Sequence, residues 1–374
     1  MTEPVTPARF FDSRAAYNMF VTTTNEKAAV AERVSRELPH LYPQERALRI
    51  FDAGMGDATG LIHVMRRLLQ VFTHVPWLIV GKEISIEDVR RAVDSMPDRF
   101  FEHPEMVFAV TNMPYRQAVH LGGATDREVI WRTTALEGTT AHDFATQLQH
   151  LHVQFAADWA VTTSPKSGNP VPVQPAVHVI YRKDREFLLR DVIPQPGGTD
   201  IEYELIIASQ PYRAATSPAT KVRMVVAPLV EALAPAGRFI GIHAAGDDPA
   251  LEIIRNVWPE ENPFTTSRHD LFAALADGHQ IRAIEPLVVG DDEAMFQYIL
   301  HAMPSELEEH IGTSAVLAAW NAAAYVAQID EDRLTEAIDS GSYLDATREV
   351  LGKYDRLWFN NEAYVITRRA SPAS

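Results

Sequence analysis

Residues 49–60 read RIFDAGMGDATG, a short apolar run followed by an aspartate and three glycines, without proline. Glycine is favoured where the backbone φ is positive or where a ligand lies directly against the main chain. A strand that leads through such a loop into a helix presents unpaired N–H groups at the start of that helix. The stretch therefore predicts a strand, a ligand-binding loop and a helix, or alternatively only a tight strand-to-helix turn.

Strand-like and helix-like segments alternate along much of the rest of the chain. Apolar runs at 77–85, 106–115, 203–209 and 238–246 predict further strands, and segments with apolar residues at helical spacing lie between most of them. This alternation predicts a doubly wound α/β fold, in which helices cover both faces of a mixed, mostly parallel sheet. Ligands bind such sheets at the carboxyl ends of the strands, so the loops there should form one crevice.

Three segments lie outside this alternation. Residues 1–44 contain a predicted helix from about Glu26, and we expect them to form an N-terminal helical lid ahead of an α/β domain over 45–374. The stretch 160–200 is rich in proline and glycine and is predicted to be an inserted cap that covers the site. The mostly helical segment at about 250–350 is too long for one crossover, and we expect it to shape a substrate pocket or a dimer interface.

Composition limits the classes of function. The chain has 374 residues, of which 46% are hydrophobic, and 34 basic against 50 acidic residues give a formal charge of −16. No basic cluster of the kind that follows nucleic-acid phosphates is present. The absence of cysteine excludes thiolate catalysis and cysteine-ligated zinc and agrees with a cytoplasmic protein. No apolar run is long enough to span a membrane, so no membrane partner is expected. The acidic charge balance makes a small molecule, and not a nucleic acid, the expected ligand.

Acidic residues around the loop separate two kinds of nucleotide cofactor. Glu83 follows Asp52 by roughly 30 residues and ends a predicted strand, where a carboxylate accepts hydrogen bonds from ribose hydroxyls; the alternative is a glutamate that caps the next helix. Asp57 lies where a dinucleotide pyrophosphate would have to bind, and its charge repels phosphate but tolerates a sulfonium or an ammonium group. Asp52 can pair with an α-amino group through water. The histidines of QHLH (149–152) do not define a metal site, and no metal is expected.

In these residues the sequence resembles the class I S-adenosylmethionine-dependent methyltransferases. FDAGMGDATG (51–60) corresponds to the glycine-rich motif of that family, and LIVGKEIS (78–85) to its acidic motif. YELIIASQPY (203–212) is similar to the fourth strand and its end, and LWFNNEAYVITRR (357–369) to the antiparallel strand that closes the sheet. The resemblance implies a Rossmann-like methyltransferase sheet with S-adenosyl-L-methionine as cofactor.

The resemblance also implies roles for individual residues. The implied cofactor-binding residues are Tyr17, Asp52, Gly54, Gly56, Glu83, Asn112 and Ser209, and the implied catalytic residues are Ser209, Tyr212, Tyr181 and Asn112. Ser209 and Tyr212 belong to SQPY (209–212), which is similar to the segment where amino-group methyltransferases orient an amine and stack an aromatic ring on it. The alternative for this segment is a plain turn that ends the strand. Tyr181 offers an aromatic face to a sulfonium, or is simply a half-buried core residue.

The expected reaction is methyl transfer to a nitrogen or oxygen of a small metabolite in specialised metabolism, catalysed by a homodimer. The alternative is intramolecular: the α-amino group of S-adenosylmethionine attacks its own γ-carbon, closes a four-membered ring and releases methylthioadenosine. The methyltransferase-like azetidine-2-carboxylate synthases work in this way, and the layout of this chain also resembles theirs. In that case Asn112 and Ser209 would orient the amine, and Tyr181 or Tyr212 would hold the sulfonium. Asp57 disfavours a dehydrogenase, and a binding protein without chemistry stays open.

Overall fold

The structure is a computed structural model. It describes residues 14–43, 47–122, 128–165, 170–197, 201–278, 284–287, 290–301, 313–354 and 356–369. The first 13 residues of the predicted lid, and parts of the predicted segments 160–200 and 250–350, lie outside the described residues.

The secondary structure alternates as predicted over the first half of the chain. The strands are β1 Leu48–Asp52, β2 Trp77–Lys82, β3 Met106–Thr111, β4 Ile130–Leu136, β5 Val161–Thr163, β6 Pro170–Pro172, β7 Ala176–Arg182, β8 Tyr203–Ser209, β9 Leu233–Ala244, β10 Ile284–Leu287, β11 Met295–Ile299 and β12 Trp358–Arg368. The α-helices are α1 Arg14–Thr23, α2 Glu26–Ser35, α3 Thr59–Val71, α4 Ile86–Asp94, α5 Pro97–Glu102, α6 Tyr115–Ala118, α7 Ala141–His150, α8 His152–Asp158, α9 Pro218–Lys221, α10 Ala227–Val230, α11 Pro249–Val257, α12 Arg268–Gly278, α13 Asp291–Ala294, α14 Thr313–Ala327, α15 Glu331–Ser340 and α16 Ser342–Lys353.

Five parallel strands form the centre of one large sheet, in the spatial order β3–β2–β1–β8–β9. The chain leaves β1 through β2 and β3 on one side and then returns to β8 on the other side of β1. This arrangement confirms the predicted doubly wound fold, and its topological switch point lies between β1 and β8. Every residue of β3 is buried, as expected for a parallel strand that is covered on both faces.

Antiparallel strands extend the sheet at both ends. β12 pairs antiparallel with β9, which confirms the predicted closing strand, and both β10 and β11 pair antiparallel with β12. The segment 250–350 is therefore not only helical, because it also supplies these two strands. At the opposite end, β7 pairs antiparallel with β3 and parallel with β4.

β7 corrects the prediction that residues 160–200 form a cap over the site. Its seven residues are all buried within the sheet, whereas the β5–β6 hairpin beside it and much of 183–197 after it are exposed. The prolines that flank β7 suggested an insertion, but its apolar run provides a strand that both β3 and β4 require as a neighbour.

Three apolar clusters hold the layers together. Consecutive residues of β1 belong to different clusters, Ile50 to the first and Phe51 to the second. Because consecutive side chains of a strand point to opposite faces, these two clusters occupy opposite faces of the sheet. The third cluster joins Phe20 of α1 to α11, α14, α15 and α16 and to the β11–β12 pair. Helix α1 therefore packs on the C-terminal helical layer beside the sheet, while the buried apolar residues of α2 belong to the first cluster.

Candidate active site

The glycine loop after β1 bends through two residues with positive φ. Gly56 has φ of +56° and Ala58 has φ of +64°, and Ala58 directly precedes α3. A Cβ atom at position 56 would lie 2.9 Å from the Tyr17 hydroxyl. Glycine is therefore required at 56 both by the backbone conformation and by the close approach of α1.

Glu83 connects the two loops that were predicted to hold a ribose. Its Oε2 accepts a hydrogen bond from the Gly56 N–H at 3.0 Å. Its Oε1 accepts hydrogen bonds from the N–H groups of Ile84 at 2.7 Å and Ser85 at 2.8 Å. The carboxylate thus organises the turn into α4, and it also lines a cavity beside the glycine loop.

Two aspartates surround the start of α3. Asp52 is buried, and its Oδ1 accepts a hydrogen bond from the Gly54 N–H at 3.2 Å. Burial raises the pKa of Asp52 to about 6, against the opposing effects of this hydrogen bond and of Lys27. Asp57 accepts a hydrogen bond from the Thr59 N–H at 3.0 Å, so a carboxylate already occupies the helix start where a phosphate would bind.

Residues of the N-terminal helices line the cavity beside this loop. The Arg14 guanidinium forms two hydrogen bonds with the Asp88 carboxylate of α4 and lies 4.7 Å from the centroid of the Tyr17 ring. Lys27 Nζ lies 5.7 Å from the same centroid and 3.3 Å from Glu26 Oε2. Burial alone would lower the pKa of Lys27, but Glu26 and other neighbours outweigh it and raise the pKa well above its usual value.

The SQPY segment closes the other side of the switch point. Ser209 Oγ is buried and has no hydrogen-bond partner among the residues that the structure describes. Gln210 has φ of +48°, and its side chain accepts from the Ala244 N–H at 3.2 Å and donates to Asn361 Oδ1 at 3.3 Å. The Tyr115 hydroxyl donates to the Pro211 carbonyl at 3.0 Å. The segment is therefore a fixed turn with one uncommitted hydroxyl.

Two neighbouring cavities lie between the lid and these loops. The first, here named the loop cavity, has a volume of about 270 Å³ and is lined by Arg14, Tyr17, Phe20, Glu26, Lys27, Gly54, Gly56, Glu83, Asp88, Tyr115, Ser209, Gln210, Pro211 and Tyr325. The second, the aromatic cavity, has a volume of about 410 Å³ and is lined by Phe20, Glu26, Ile84, Gln210, Pro211, Tyr212, Arg213, Tyr298, Tyr325, Val326 and Gln328. Five residues line both cavities, so the two adjoin.

The structure brings together five of the residues predicted to bind a cofactor. The loop cavity is lined by Tyr17, Gly54, Gly56, Glu83 and Ser209. A sixth predicted residue, the buried Asp52, is hydrogen-bonded to Gly54 at the edge of this group.

Asn112 is not placed as predicted. Its Oδ1 accepts from the Ala176 N–H at 2.9 Å, and its Nδ2 donates to the Gln174 carbonyl at 3.1 Å. The side chain is 1% exposed and lines neither cavity. The structure therefore gives no support to a cofactor-binding or catalytic role for Asn112, because its amide is occupied in joining the end of β3 to the start of β7.

Tyr181 is also misplaced in the prediction. It pairs with Val107 near the amino end of β3, whereas the site lies at the carboxyl end, about 13 Å further along the strand at 3.3 Å per residue. Its hydroxyl donates to Glu186 at 3.2 Å. The structure gives no support to a sulfonium contact by Tyr181, since its position in β7 lies away from the loop cavity.

Tyr212 has a mixed outcome. It lines the aromatic cavity, but its hydroxyl lies 2.7 Å from His243 Nδ1 and 3.2 Å from the Tyr364 hydroxyl. Burial raises its pKa well above the usual value. The contacts of the hydroxyl with His243 and Tyr364 thus hold the Tyr212 ring in place. Stacking of this ring against an acceptor stays a prediction.

Sequence reasoning missed several lid residues at the site, above all Arg14, Glu26 and Lys27. An acidic residue followed by a lysine at the start of a helix is typical of an ordinary exposed helix end, so nothing in the local pattern marked them. Tyr325 was also missed, because α14 is apolar nearly all round and gives no indication of which side faces a cavity.

Within the described ranges no group of three or more histidine, aspartate or glutamate side chains is arranged to hold a metal ion. In the same ranges no helix is both long and apolar enough to cross a bilayer.

Comparison with known proteins yields similarity of fold only. No protein-family model and no curated protein matches the chain. Among solved structures, geranyl diphosphate methyltransferase in complex with GPP and sinefungin is similar over 92% of this chain and 79% of its own, with 11% identity and a TM-score of 0.34. Loganic acid methyltransferase with SAH matches over 97% and 96%, with 10% identity and a TM-score of 0.36. The (4+2)-cyclase SpnF matches over 99% and 100%, with 10% identity and a TM-score of 0.36. Similarity this weak carries no argument about the reaction.

Proposed function

We propose that the protein is an S-adenosylmethionine-dependent methyltransferase that acts on a nitrogen or oxygen of a small metabolite. The observation that carries this proposal is the pair of adjoining cavities at the switch point of the sheet, one bordered by the glycine loop and Glu83, the other by aromatic side chains. A group transfer between two molecules needs two such compartments with a common boundary.

The residues of the loop cavity fit this cofactor. Glu83 retains lone pairs for ribose hydroxyls in addition to its three backbone contacts. The Asp57 carboxylate at the start of α3 disfavours a pyrophosphate, and therefore a dinucleotide. The unpartnered Ser209 Oγ is a buried hydroxyl that a ligand group in the cavity would satisfy.

Bound S-adenosylmethionine would supply an activated methyl group. The chain's own residues then have three tasks. Glu83 and the glycine loop fix the nucleoside part, Ser209 orients a polar group at the boundary between the cavities, and Tyr17, Phe20 and Tyr325 exclude water from it. Such positioning requires no strong base near the boundary.

Calorimetry on the purified protein tests the cofactor assignment. We expect S-adenosylhomocysteine to bind and NAD not to bind; binding of NAD alone would contradict the proposal. Glu83→Ala should lower the affinity for S-adenosylhomocysteine at least about tenfold, because it removes the acceptor for the ribose hydroxyls and leaves the Gly56 N–H without its partner. Glu32→Ala on α2, an exposed glutamate outside both cavities, should bind as the wild type does.

The cyclase alternative receives less support. Tyr181 lies far from the site, and the aromatic cavity provides room for an external acceptor that a cyclase does not need. Incubation with S-adenosylmethionine alone distinguishes the two reactions. Release of methylthioadenosine with a cyclic amino acid would establish the cyclase, whereas methyl transfer requires an added acceptor.

We further propose a cytoplasmic homodimer acting in specialised metabolism, with residues 1–44 as the lid and 45–374 as the cofactor-binding domain. The lid is supported by the position of α1 and α2 over the glycine loop. Light scattering on the purified protein tests the dimer, and a monomer at all concentrations would exclude it.

A further inference from the structure

The aromatic cavity has walls suited to a cation. Phe20 lies between Tyr298 and Tyr325, with ring centroids 6.0 Å and 5.0 Å away and interplanar angles of 84° and 27°. Tyr212 contributes a further ring to the lining. Aromatic faces carry partial negative charge, and a positively charged group surrounded by several of them is stabilised without hydrogen-bond donors or acceptors.

A buried carboxylate stands at the boundary of this cavity. Glu26 is 3% exposed and lines both cavities, and its Oε2 accepts no hydrogen bond from the described residues. Lys27 Nζ lies 3.3 Å from that oxygen, but Lys27 lines only the loop cavity. Burying a carboxylate is costly unless opposite charge or hydrogen bonds compensate for it; Lys27 supplies opposite charge, and Glu26 Oε2 can still accept a hydrogen bond from a ligand.

One other charged side chain lines the aromatic cavity within the described residues. It is Arg213, which takes part in an interaction of its own. The other lining residues are uncharged. Rings and carboxylate therefore favour the same kind of ligand.

We propose that the aromatic cavity binds the positively charged head group of an amine, held against the rings of Phe20, Tyr298 and Tyr325 and the carboxylate of Glu26. This inference rests on the proposed function, in which the loop cavity holds S-adenosylmethionine, and it narrows the acceptor to an amine. The ammonium nitrogen can take the methyl group only after it has given up its proton, for which Glu26 is the carboxylate among the described lining residues. An alcohol or a phenol could donate a hydrogen bond to Glu26 but brings no charge for the aromatic faces to stabilise.

A pair of probes of equal shape and different charge tests the inference. Choline carries a quaternary ammonium group, and 3,3-dimethylbutan-1-ol is its neutral counterpart. Binding of each is measured by saturation-transfer NMR on protein saturated with S-adenosylhomocysteine, after calorimetry has established that S-adenosylhomocysteine binds. We expect choline to bind at least about tenfold more tightly than the alcohol.

Two variants locate the effect. Glu26→Gln removes the charge and Phe20→Leu removes the central ring, and each should reduce the preference for choline to about threefold or less. Glu32→Gln, the same change on the exposed part of α2, should leave the preference intact. Circular dichroism and thermal unfolding show whether each variant is folded.

The outcomes separate the two proposals. Equal binding of the two probes, no binding of choline, or a preference that survives Glu26→Gln would overturn the inference while leaving the proposed function in place. Displacement of choline by S-adenosylhomocysteine would also overturn it, because the cation site would then belong to the cofactor. If S-adenosylhomocysteine itself does not bind, the proposed function fails first.

Discussion

Gly54 and Gly56 look alike in the sequence, but the structure requires glycine at only one of them. Gly56 has a positive φ and lies under the Tyr17 hydroxyl, whereas a Cβ at position 54 would lie 3.8 Å from its nearest neighbour, the Ser209 carbonyl oxygen. Nothing within the described residues requires glycine at 54, which is consistent with the proposed approach of a ligand to the backbone there. The sequence predicted a ligand-binding loop here, but neither the φ of each glycine nor the position of α1 above the loop could be inferred from it.

Gly56→Ala should therefore damage the site, while Gly60→Ala should not. At 56 an L-side chain meets an unfavourable φ and the Tyr17 hydroxyl, which we expect to lower the free energy of unfolding by about 1–2 kcal/mol. At Gly60, within α3, the nearest atom to a new Cβ is Lys27 Cδ at 3.8 Å, so alanine fits a helix there. Urea unfolding and calorimetry with S-adenosylhomocysteine compare the pair; equal effects of the two changes would contradict this account.

Asp52 makes stability depend on pH. Its pKa is raised by burial from 3.8 to about 6, so the folded state holds the proton more tightly than the unfolded state. This contribution stabilises the fold fully below about pH 4 and is lost as the pH rises through 6. The loss amounts to at most about 3 kcal/mol, and Asp52→Asn, whose amide can still accept from the Gly54 N–H, should avoid it.

Urea unfolding of Asp52→Asn and the wild type from pH 4 to pH 7.5 measures this effect. As the pH rises across this interval, the free energy of unfolding of the variant should increase relative to that of the wild type. Parallel curves of unfolding free energy against pH would show that Asp52 does not titrate there.

At the scale of elements, the prediction succeeded where strands are uniformly apolar and failed where short strands lie among prolines or helices. β1, β2 and β3 are buried on nearly every residue and end in recognisable loops. β7 is equally buried, but its neighbours in the sheet are specified by side chains such as Asn112 that no local pattern reveals. The same holds for Asn112, whose position at a strand end was predicted correctly but whose hydrogen-bond partners could not be foreseen from the sequence.

Asn112→Ala should destabilise the fold without affecting the cofactor. The change leaves the buried Ala176 N–H and Gln174 carbonyl without partners, at a cost of about 2–4 kcal/mol in the free energy of unfolding. Affinity for S-adenosylhomocysteine should stay within about twofold of the wild type. Asn256→Ala, an exposed asparagine of α11, should change neither quantity. A large loss of affinity for S-adenosylhomocysteine in a folded Asn112→Ala protein would contradict this account and indicate that Asn112 contacts the cofactor.

At the scale of the molecule, the two cavities depend on segments far apart in the sequence. Tyr17 and Phe20 of α1 pack against Tyr325 of α14, with Tyr17 and Tyr325 ring centroids 6.0 Å apart. Asn321 Nδ2 also donates to the Ala16 carbonyl at 3.0 Å. The sequence predicted a lid and a helical layer separately, but such contacts between distant segments cannot be inferred from periodicity.

Binding of S-adenosylhomocysteine should therefore slow hydrogen exchange well beyond the loops that contact it. We expect protection of amides in α1 and α14 as well as in the glycine loop, because both helices line the loop cavity. α7, on the far side of β3 and outside both cavities, serves as an internal control and should not change. Protection confined to the glycine loop would show that the lid is not coupled to the ligand.

The position of β12 has a consequence for how the chain is made. β12 is the last strand, yet it lies inside the sheet, between β9 on one side and β10 and β11 on the other. In the part of the chain that the structure describes, β11 pairs with residues 358–362 of β12 and β10 with residues 365–368, so on the ribosome neither strand has this partner until those residues have been synthesised. During that interval their edges and the third apolar cluster are exposed, which makes unfinished chains vulnerable to aggregation. Slow translation before residue 358 should therefore lower the yield of soluble protein more than the same delay after β3.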